Sequence, residues 1–245
     1  MSNILIMGAT SAIAQETAKL YANSGNKFFL VALEDDLLRT VADDLSVRGA
    51  GAVEYRTLDV LNYDKHEDII NAAWENLGEV DIVLIAHGVL GKQHEDENDF
   101  KKIEFILNVN FMSCISILTI MAGKFEKQKT GSIAVISSVA GDRGRKNNYV
   151  YGASKGGLSI FLDGLRGRLA QSNVNVITIK PGFVDTPMTQ EYEKGLLWSK
   201  PETIAKCIKA AIDKRKGVAY VPKFWYWIMF IIRHIPEKIF KKLNF

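Results

Sequence analysis

The sequence contains few cysteines, histidines and prolines. Among its 245 residues there are two cysteines, four histidines and five prolines. Cys114 and Cys207 lie far apart in segments with the apolar pattern of buried helices, so the chain offers no disulfide framework. The histidines share no spacing with one another or with the cysteines that would suit a metal ion, and we predict no metal site. No secretory signal precedes the first apolar run, so we expect a reducing, cytoplasmic setting.

A large excess of charge of one sign is also missing. The formal net charge is +3, and the lysines and arginines are not gathered with aromatic residues into one surface. We therefore expect no nucleic-acid partner. With 47% hydrophobic residues, the chain is long and apolar enough to form one large domain around a buried core.

The sequence does contain a series of short apolar runs, each followed by a segment with helical periodicity. The runs lie at positions 4–7, 28–33, 82–86, 133–136 and 174–179. Runs of this length are typical of strands buried in a parallel sheet. Their alternation with helices, without a linker, predicts an α/β fold: a single-domain, Rossmann-type, doubly wound parallel sheet with helices on both faces. We place this domain at 1–222 and an apolar and basic C-terminal extension at 223–245.

A loop of small residues follows the first run and leads into a helix. Its candidate binding residues are Gly8, Thr10, Ser11, Ala12 and Ile13. Small residues let the backbone approach a pyrophosphate, and the free amides at a helix start favour the anion. Alanines replace two glycines of the usual dinucleotide fingerprint, so a purely structural turn is the alternative. In this context we predict a dinucleotide site.

The residues after the second and third strands bear on the choice of cofactor. Ala32 and Leu33 end the second strand and three acids, at 34–36, follow them. A carboxylate here accepts hydrogen bonds from ribose hydroxyls, whereas an arginine binds a 2′-phosphate. We therefore expect NAD(P)(H), with NAD(H) favoured over NADP(H). After a third short strand come Asp59 and Val60; Asp59 either contacts the adenine amino group or is a solvated loop residue.

A tyrosine and a lysine four residues apart indicate proton-transfer chemistry. On a helix that begins near Val150, Tyr151 and Lys155 share one face, and a nearby cation lowers the pKa of a phenol. Ser138, at a strand end thirteen residues before Tyr151, could polarise a carbonyl. The alternatives are a surface helix with an unrelated Tyr and Lys, and a turn serine. Asn110, in the helical stretch 100–124, is either a satisfied core asparagine or holds a water that leads protons to Lys155.

In their order and spacing these residues resemble the short-chain dehydrogenase/reductase family. The resemblance is carried by the loop at 8–14, by Asn110, Ser138, Tyr151 and Lys155, and by the segment 181–188. It implies that Tyr151 is the general acid or base and that Ser138 orients the carbonyl. It further implies that Lys155 binds the nicotinamide ribose and lowers the Tyr151 pKa, and that Asn110 supports a proton relay.

The same resemblance extends the predicted cofactor site to two more loops. Pro181, Gly182 and Val184 would border the nicotinamide, and the Thr186 hydroxyl would bind its carboxamide. The family's usual Asn-Asn-Ala-Gly after the fourth strand is replaced by Ile-Ala-His-Gly at 85–88. Ala86, His87 and Gly88 are therefore predicted to line the cofactor without the side-chain contacts of the missing asparagines.

A closer resemblance is to decaprenylphosphoryl-2-keto-ribose reductases, and it extends nearly to the C-terminus. The stretches that carry it lie at 86–91, 140–146 and 233–243. It implies reduction of a ketone at the sugar C2 of a polyprenyl-phosphate-linked pentose, or of a related cell-envelope precursor, after a partner oxidase has made the ketone. Family resemblance also implies a homodimer or homotetramer. The alternatives are a fatty or lipid ketone reductase and a catalytically idle nucleotide-binding scaffold.

Two further segments bear on the substrate. Arg143 and Arg145 lie between Ser138 and Tyr151, and arginine forks suit phosphate, so we hypothesise that both hold the substrate phosphate. A solvated basic loop is the alternative. Residues 185–200 lack clear periodicity and are expected to form a substrate lid, with simple packing as the alternative.

The C-terminal extension contains nine consecutive apolar residues at 224–232, too few to span a bilayer. The run is rich in aromatic residues, and Arg233, Lys238, Lys241 and Lys242 follow it. It either lies in a membrane interface, which would make the protein peripheral at the inner face of the membrane, or completes the pocket or a subunit interface.

Overall fold

Seven parallel strands form one sheet in the computed structural model, which describes residues 1–243. The strands are β1 (Asn3–Met7), β2 (Lys27–Ala32), β3 (Ala52–Thr57), β4 (Ile82–Ile85), β5 (Ser132–Ile136), β6 (Asn175–Pro181) and β7 (Val218–Val221). Their order in space is β3-β2-β1-β4-β5-β6-β7, so the direction of winding reverses between β1 and β4. Every neighbouring pair is parallel. This confirms the predicted doubly wound sheet.

Helices cover both faces of the sheet. They are α1 (Ala12–Ala22), α2 (Asp35–Val47), α3 (His66–Leu77), α4 (Gln93–Asp96), α5 (Phe100–Leu107), α6 (Ser113–Gln128), α7 (Tyr149–Ala170), α8 (Pro201–Asp213), α9 (Trp225–His234) and α10 (Glu237–Phe240). Because successive side chains of a strand point to opposite faces, Ile4 and Ile6 of β1 pack in the cluster that includes α1, α2 and α8. Leu5 and Met7 pack in the cluster that includes α3, α6 and α7.

Strand β7 and the break in the 100–124 helix were not predicted. Strand β7 has only four residues, and Val218 at its start is 40% exposed, so it lacks a long apolar run. The predicted helix consists of α5, a π-helical segment at Asn108–Met112 and α6. A π-helical turn of this kind often marks a functional position, and Asn110 lies at its centre.

The continuous helical run Phe100–Gln128 is, within residues 1–243, the one helix long and apolar enough to cross a membrane by length and composition. Half of its most apolar window is buried inside the fold. Ile117, Leu118 and Met121 are fully buried against the sheet. The apolar composition is thus that of a core helix of an α/β protein.

The C-terminal extension packs on the domain. Trp225 and Met229 of α9 are 2% and 0% exposed and form a small buried cluster with Val139. Further along, the Arg143 guanidinium donates hydrogen bonds to the carbonyl oxygens of Ile232 at 2.6 Å and Ile235 at 2.7 Å. The extension is therefore attached at both ends of α9. The last two residues of the predicted 223–245 segment lie outside the described part of the chain.

Replacing Met229 with Ala should lower the free energy of unfolding by about 2 kcal/mol, because it opens a cavity in this small cluster. Ile231 of the same helix is 64% exposed. Ile231→Ala is therefore the matched control and should change the free energy of unfolding by less than about 0.5 kcal/mol. Urea unfolding followed by circular dichroism measures both. Equal losses in the two variants would show that α9 does not pack this way in solution.

Candidate active site

A large cleft of about 830 Å³ opens at the carboxyl ends of the strands. This volume is within the range of ligand and cofactor pockets. The predicted cofactor residues all line it: Gly8, Thr10, Ser11, Ala12, Ile13, Ala32, Leu33, Asp59, Val60, Ala86, His87, Gly88, Tyr151, Lys155, Pro181, Gly182, Val184 and Thr186. Ser138 and Arg145 line it as well, whereas Asn110 and Arg143 do not.

The turn after β1 brings the backbone to the floor of the cleft. Gly8 has φ +79°, and a Cβ added there would lie 2.4 Å from the backbone nitrogen of His87. Only glycine adopts this conformation freely and leaves room for that contact. Helix α1 begins just beyond, and its Ser11 N-cap side chain makes no capping hydrogen bond. The first amides of α1 are thus free to bind an anion such as a pyrophosphate.

Glu34 lies in the cleft and was missing from the sequence-based set of site residues. Its Oε2 atom accepts a hydrogen bond from the Thr10 hydroxyl at 3.3 Å. Of the other two acids, Asp36 pairs with Arg39 at 2.7 Å on the exposed surface of α2. The signal was the position of Glu34, two residues after the end of β2, where the ribose-binding carboxylate of such folds is found.

Tyr151, Lys155 and Ser138 meet in the same cleft. Both Tyr151 and Lys155 are on α7, and the Lys155 ammonium lies 5.9 Å from the centroid of the Tyr151 ring. Lys155 is 3% exposed and donates to the carbonyl oxygen of Ile136 at 3.2 Å. Ser138 follows β5, and its hydroxyl accepts from the Ala140 N–H at 3.1 Å. The structure therefore brings the three predicted reacting groups together.

The ionisation of Tyr151 differs from the sequence-based expectation. Burial raises the pKa of Tyr151 to about 12, and hydrogen bonding with the Ser138 hydroxyl opposes that shift. Burial also lowers the pKa of Lys155. The expected lowering of the Tyr151 pKa by Lys155 is thus not found, and burial dominates the shift. The phenol is protonated at neutral pH, which is the form that can donate a proton to a ketone.

Asn110 holds the loop that follows β4. It is fully buried, its Oδ1 accepts from the Val89 N–H at 2.8 Å, and its Nδ2 donates to the Val89 carbonyl oxygen at 2.7 Å. The amide is thus satisfied, as the core-asparagine alternative supposed. A Cβ at Gly88 would lie 2.8 Å from Asn110 Oδ1 and 3.3 Å from Lys155 Nζ, so the glycine keeps this corner open. The proton relay through Asn110 stays a prediction.

His87 stands where the family pattern has an alanine, next to the two positions that lack the usual asparagines, and it is neutral. Burial, Lys155 and His66 together lower the pKa of His87 to about 3. The Ser113 hydroxyl donates to the Val109 carbonyl oxygen at 2.7 Å, so at 2.9 Å it accepts from His87 Nε2–H. Nδ1 is then a hydrogen-bond acceptor, and it is buried without a partner in the described structure.

The two predicted phosphate-binding arginines have different environments. Arg145 is 7% exposed, lines the cleft, and has a buried Nε without a partner among the described residues. Burial lowers its pKa, and Asp142 opposes the shift. Arg143 instead pairs with Glu237 at 3.1 Å and stacks on the Phe240 ring at 3.6 Å, in addition to its bonds to α9 carbonyls. The prediction for Arg143 is therefore corrected, because the C-terminal extension occupies its guanidinium.

The loop after β6 is backed by the C-terminal extension. A Cβ at Gly182 would lie 1.8 Å from the Trp225 ring, so the indole lies directly against the predicted nicotinamide loop. The Phe183 ring contacts Trp225 edge-on at 5.1 Å and stacks on Trp198 at 5.4 Å. Trp225 does not line the cleft but supports the Gly182 loop from behind, in line with the alternative that the C-terminal segment completes the pocket. The sequence could not show this particular contact, because nothing local links Trp225 to Gly182.

The segment at 185–200 forms part of the cleft rim. Met188, Tyr192 and Trp198 line the cleft, as expected of a lid, whereas Leu196 is fully exposed. The Thr186 N–H donates to the Thr189 hydroxyl at 3.1 Å in a short turn. Within residues 1–243, no group of three or more His, Cys, Asp or Glu side chains could hold a metal ion.

The chain is similar to a family of oxidoreductases over most of its length. The short chain dehydrogenase family model matches residues 2–196. An uncharacterized oxidoreductase of Mycobacterium tuberculosis strain H37Rv is 30% identical over 240 residues, which cover 98% of this chain and 96% of that protein. An uncharacterized oxidoreductase of Streptomyces coelicolor is 29% identical over 244 residues, covering 98% and 95% respectively. The names of these relatives do not state a substrate.

The fold is similar to that of a solved ketoreductase. The crystal structure of an actinorhodin polyketide ketoreductase variant with NADPH has a TM-score of 0.80 and 24% identity, and the match covers 90% of this chain and 95% of that one. At this identity the similarity shows the fold. Because the family model covers most of the chain and the mycobacterial relative aligns nearly end to end, this protein belongs to the short-chain dehydrogenase/reductase family and is an NAD(P)-dependent oxidoreductase.

Proposed function

We propose that the protein is an NAD(P)H-dependent ketone reductase that acts on a phosphate-bearing keto-sugar. The substrate we favour is a polyprenyl-phosphate-linked 2-keto-pentose or a related cell-envelope precursor. The observation that carries the proposal is that Tyr151, Ser138 and the buried Arg145 line one cleft. A proton donor, a hydroxyl for a carbonyl and a guanidinium that makes no ion pair within residues 1–243 are thereby available to one ligand.

The reacting groups have distinct tasks. The Ser138 hydroxyl donates a hydrogen bond to the ketone oxygen, and the protonated Tyr151 gives that oxygen its proton. The nicotinamide cofactor, when bound, supplies the hydride. The buried Lys155 ammonium stabilises the phenolate left on Tyr151, since the interaction between two charges is strong where water is excluded.

The cleft residues fit a dinucleotide along its whole length. The Gly8 turn and the start of α1 would hold the pyrophosphate, and Glu34 would accept from the adenosine ribose hydroxyls. Asp59 would accept from the adenine amino group. His87 Nδ1, which has no partner within residues 1–243, would accept from a ribose hydroxyl, and the loop at 181–186 would border the nicotinamide. The carboxylate of Glu34 favours NAD(H), because it would repel a 2′-phosphate.

The substrate phosphate is assigned to Arg145. A guanidinium that is 7% exposed and has no carboxylate partner in the described structure pays a desolvation cost. An anionic ligand offsets that cost, and the planar fork suits a phosphate. The ketone itself would come from an oxidase acting on the sugar hydroxyl, so a partner oxidase is part of the proposal.

The cofactor and the free cysteines indicate the cellular compartment in which the protein acts. We infer a cytoplasmic site of action, where NAD(P)H is available and the two free cysteines, Cys114 and Cys207, stay reduced.

Two exposed apolar side chains bear on the oligomeric state. Phe105 and Met112, on the helical run that carries Asn110, are 47% and 46% exposed. These apolar side chains support a homodimer or homotetramer formed through the helices that carry Asn110 and Tyr151.

Replacing Tyr151 with Phe should reduce turnover of the keto-sugar by about 100-fold or more, because the ring stays while the proton donor is lost. Cofactor affinity, measured by NADH fluorescence titration, should hardly change. Tyr192→Phe is the matched control, since Tyr192 lines the cleft rim and is 50% exposed. Comparable turnover in the Tyr151→Phe variant and the wild type would contradict the mechanism.

Replacing Glu34 with Arg should shift the ratio of kcat/KM for NADPH over NADH upwards by about tenfold or more, because a repulsive carboxylate becomes a phosphate ligand. Steady-state rates with each cofactor give the ratio. The control is Asp35→Arg, which adds the same charge at a neighbouring exposed position of α2 that does not line the cleft. An equal shift in both variants would assign the effect to net charge alone.

Replacing Arg145 with Gln should raise KM for a phosphorylated keto-pentose about tenfold or more and leave KM for the unphosphorylated sugar nearly unchanged. Arg143→Gln should instead weaken the attachment of the C-terminal extension, seen as a lower thermal midpoint, without changing this discrimination. Loss of activity on both sugars alike in Arg145→Gln would point to a structural role. A preference for long-chain ketones over either sugar would favour a lipid ketone reductase.

A further inference from the structure

Helix α9 is apolar on both faces, and only one face is covered. Its inner face packs on the domain through Trp225 and Met229, with Ile228 and Ile232 partly buried beside them. We define its outer face by the exposed side chains: Phe224 (42%), Tyr226 (46%), Trp227 (62%), Phe230 (48%) and Ile231 (64%). A surface helix ordinarily presents polar residues to water. An exposed cluster of five apolar side chains marks an interaction surface.

This outer face is held in place by the fold. At the start of α9 the Trp225 ring packs against Gly182. At the end of α9 the Arg143 guanidinium donates hydrogen bonds to the carbonyl oxygens of Ile232 and Ile235. The aromatic side chains are therefore presented on an anchored helix. Their exposure does not come from a chain end that has failed to pack.

The net positive charge of the protein is concentrated in the same segment. Residues 223–245 contain five of the 31 lysines and arginines and one of the 28 acids, so this segment has a charge of +4 and residues 1–222 have −1. The five cations, all exposed, are Lys223, Arg233, Lys238, Lys241 and Lys242. The partner that fits the outer face is thus apolar and negatively charged.

We propose that the outer face of α9 docks on the surface of a membrane that contains anionic lipid. A ten-residue helix is about 15 Å long, half the thickness of a bilayer core, so it would lie in the plane of the interface. Its aromatic rings would lie at the depth of the headgroups and its flanking cations near the lipid phosphates. A second copy of this chain fits less well, because two such segments would bring +4 against +4.

Docking in this way places the cleft next to the lipid. Phe183, which contacts Trp225 of α9, lines the cleft together with Trp198. A lipid-linked ketone could then enter the cleft while its chain stays in the bilayer. The docking itself depends only on α9 and its charges, so it can be tested without any substrate.

The test is co-sedimentation of the full-length protein with two kinds of vesicle, one of phosphatidylcholine alone and one in which about a third of the lipid is phosphatidylglycerol. The protein should bind the anionic vesicles, and about 0.5 M salt should weaken that binding. The triple variant Trp227→Ser, Phe230→Ser, Ile231→Ser should bind at least about tenfold more weakly. Its thermal midpoint and its affinity for NADH should match those of the wild type.

The matched control removes three exposed apolar side chains elsewhere. Leu37 and Val47 of α2 and Val218 of β7 are 57%, 90% and 40% exposed, and their triple serine variant should bind vesicles like the wild type. Failure of the wild type to bind anionic vesicles, or equal loss in both triple variants, would overturn the proposal. So would a smaller assembly of the α9 variant in sedimentation velocity, since a second copy would then cover this face.

Discussion

The cofactor cleft depends on the reversal of winding between the paired strands β1 and β4. After β1 the chain turns at Gly8, with φ +79°, and passes so close to the backbone of His87 that no side chain fits between them. The crossovers that leave β1 and β4 lie on opposite faces of the sheet, and a groove is left beyond the strand ends. The Gly8 turn, Tyr151 and the loop at 181–186 all border this groove, because each lies in the connection that follows a strand ending there.

Residues at strand ends could be predicted because their signals are local. The apolar runs that became β1, β2, β4, β5 and β6 are short and buried, and the residues just beyond them line one cleft. Tyr151 and Lys155 share a helical face whatever the rest of the fold does. Strand β7 escaped prediction because Val218–Val221 is only four residues long and half of it is not buried. Glu34 was recognised as an acid after β2, but the sequence could not show which of three acids enters the cleft.

Features set by distant parts of the chain could not be predicted. Arg143 and Arg145 have nearly the same local sequence, yet one binds the carbonyl oxygens at the end of α9 and the other lines the cleft. Helix ends leave carbonyl oxygens without partners, and a nearby guanidinium satisfies them. Which of the two arginines meets these carbonyl oxygens depends on where the C-terminal extension lies. The pKa of Tyr151 is a second example. The spacing in the sequence gives the approximate distance of Tyr151 from Lys155, but only the fold gives the burial that dominates the pKa shift.

The C-terminal extension packs against the segments that carry Gly182 and Val139. The family match ends at residue 196, but Trp225 backs Gly182, and Met229 and Trp225 pack on Val139, which directly follows Ser138. A shift of α9 would therefore move the backbone on both sides of the reacting centre. The same ten-residue helix presents its aromatic outer face to the surroundings. Because one helix carries both faces, a partner that covers the outer face, such as the proposed membrane surface, would also act on the inner face and on the residues beside Ser138.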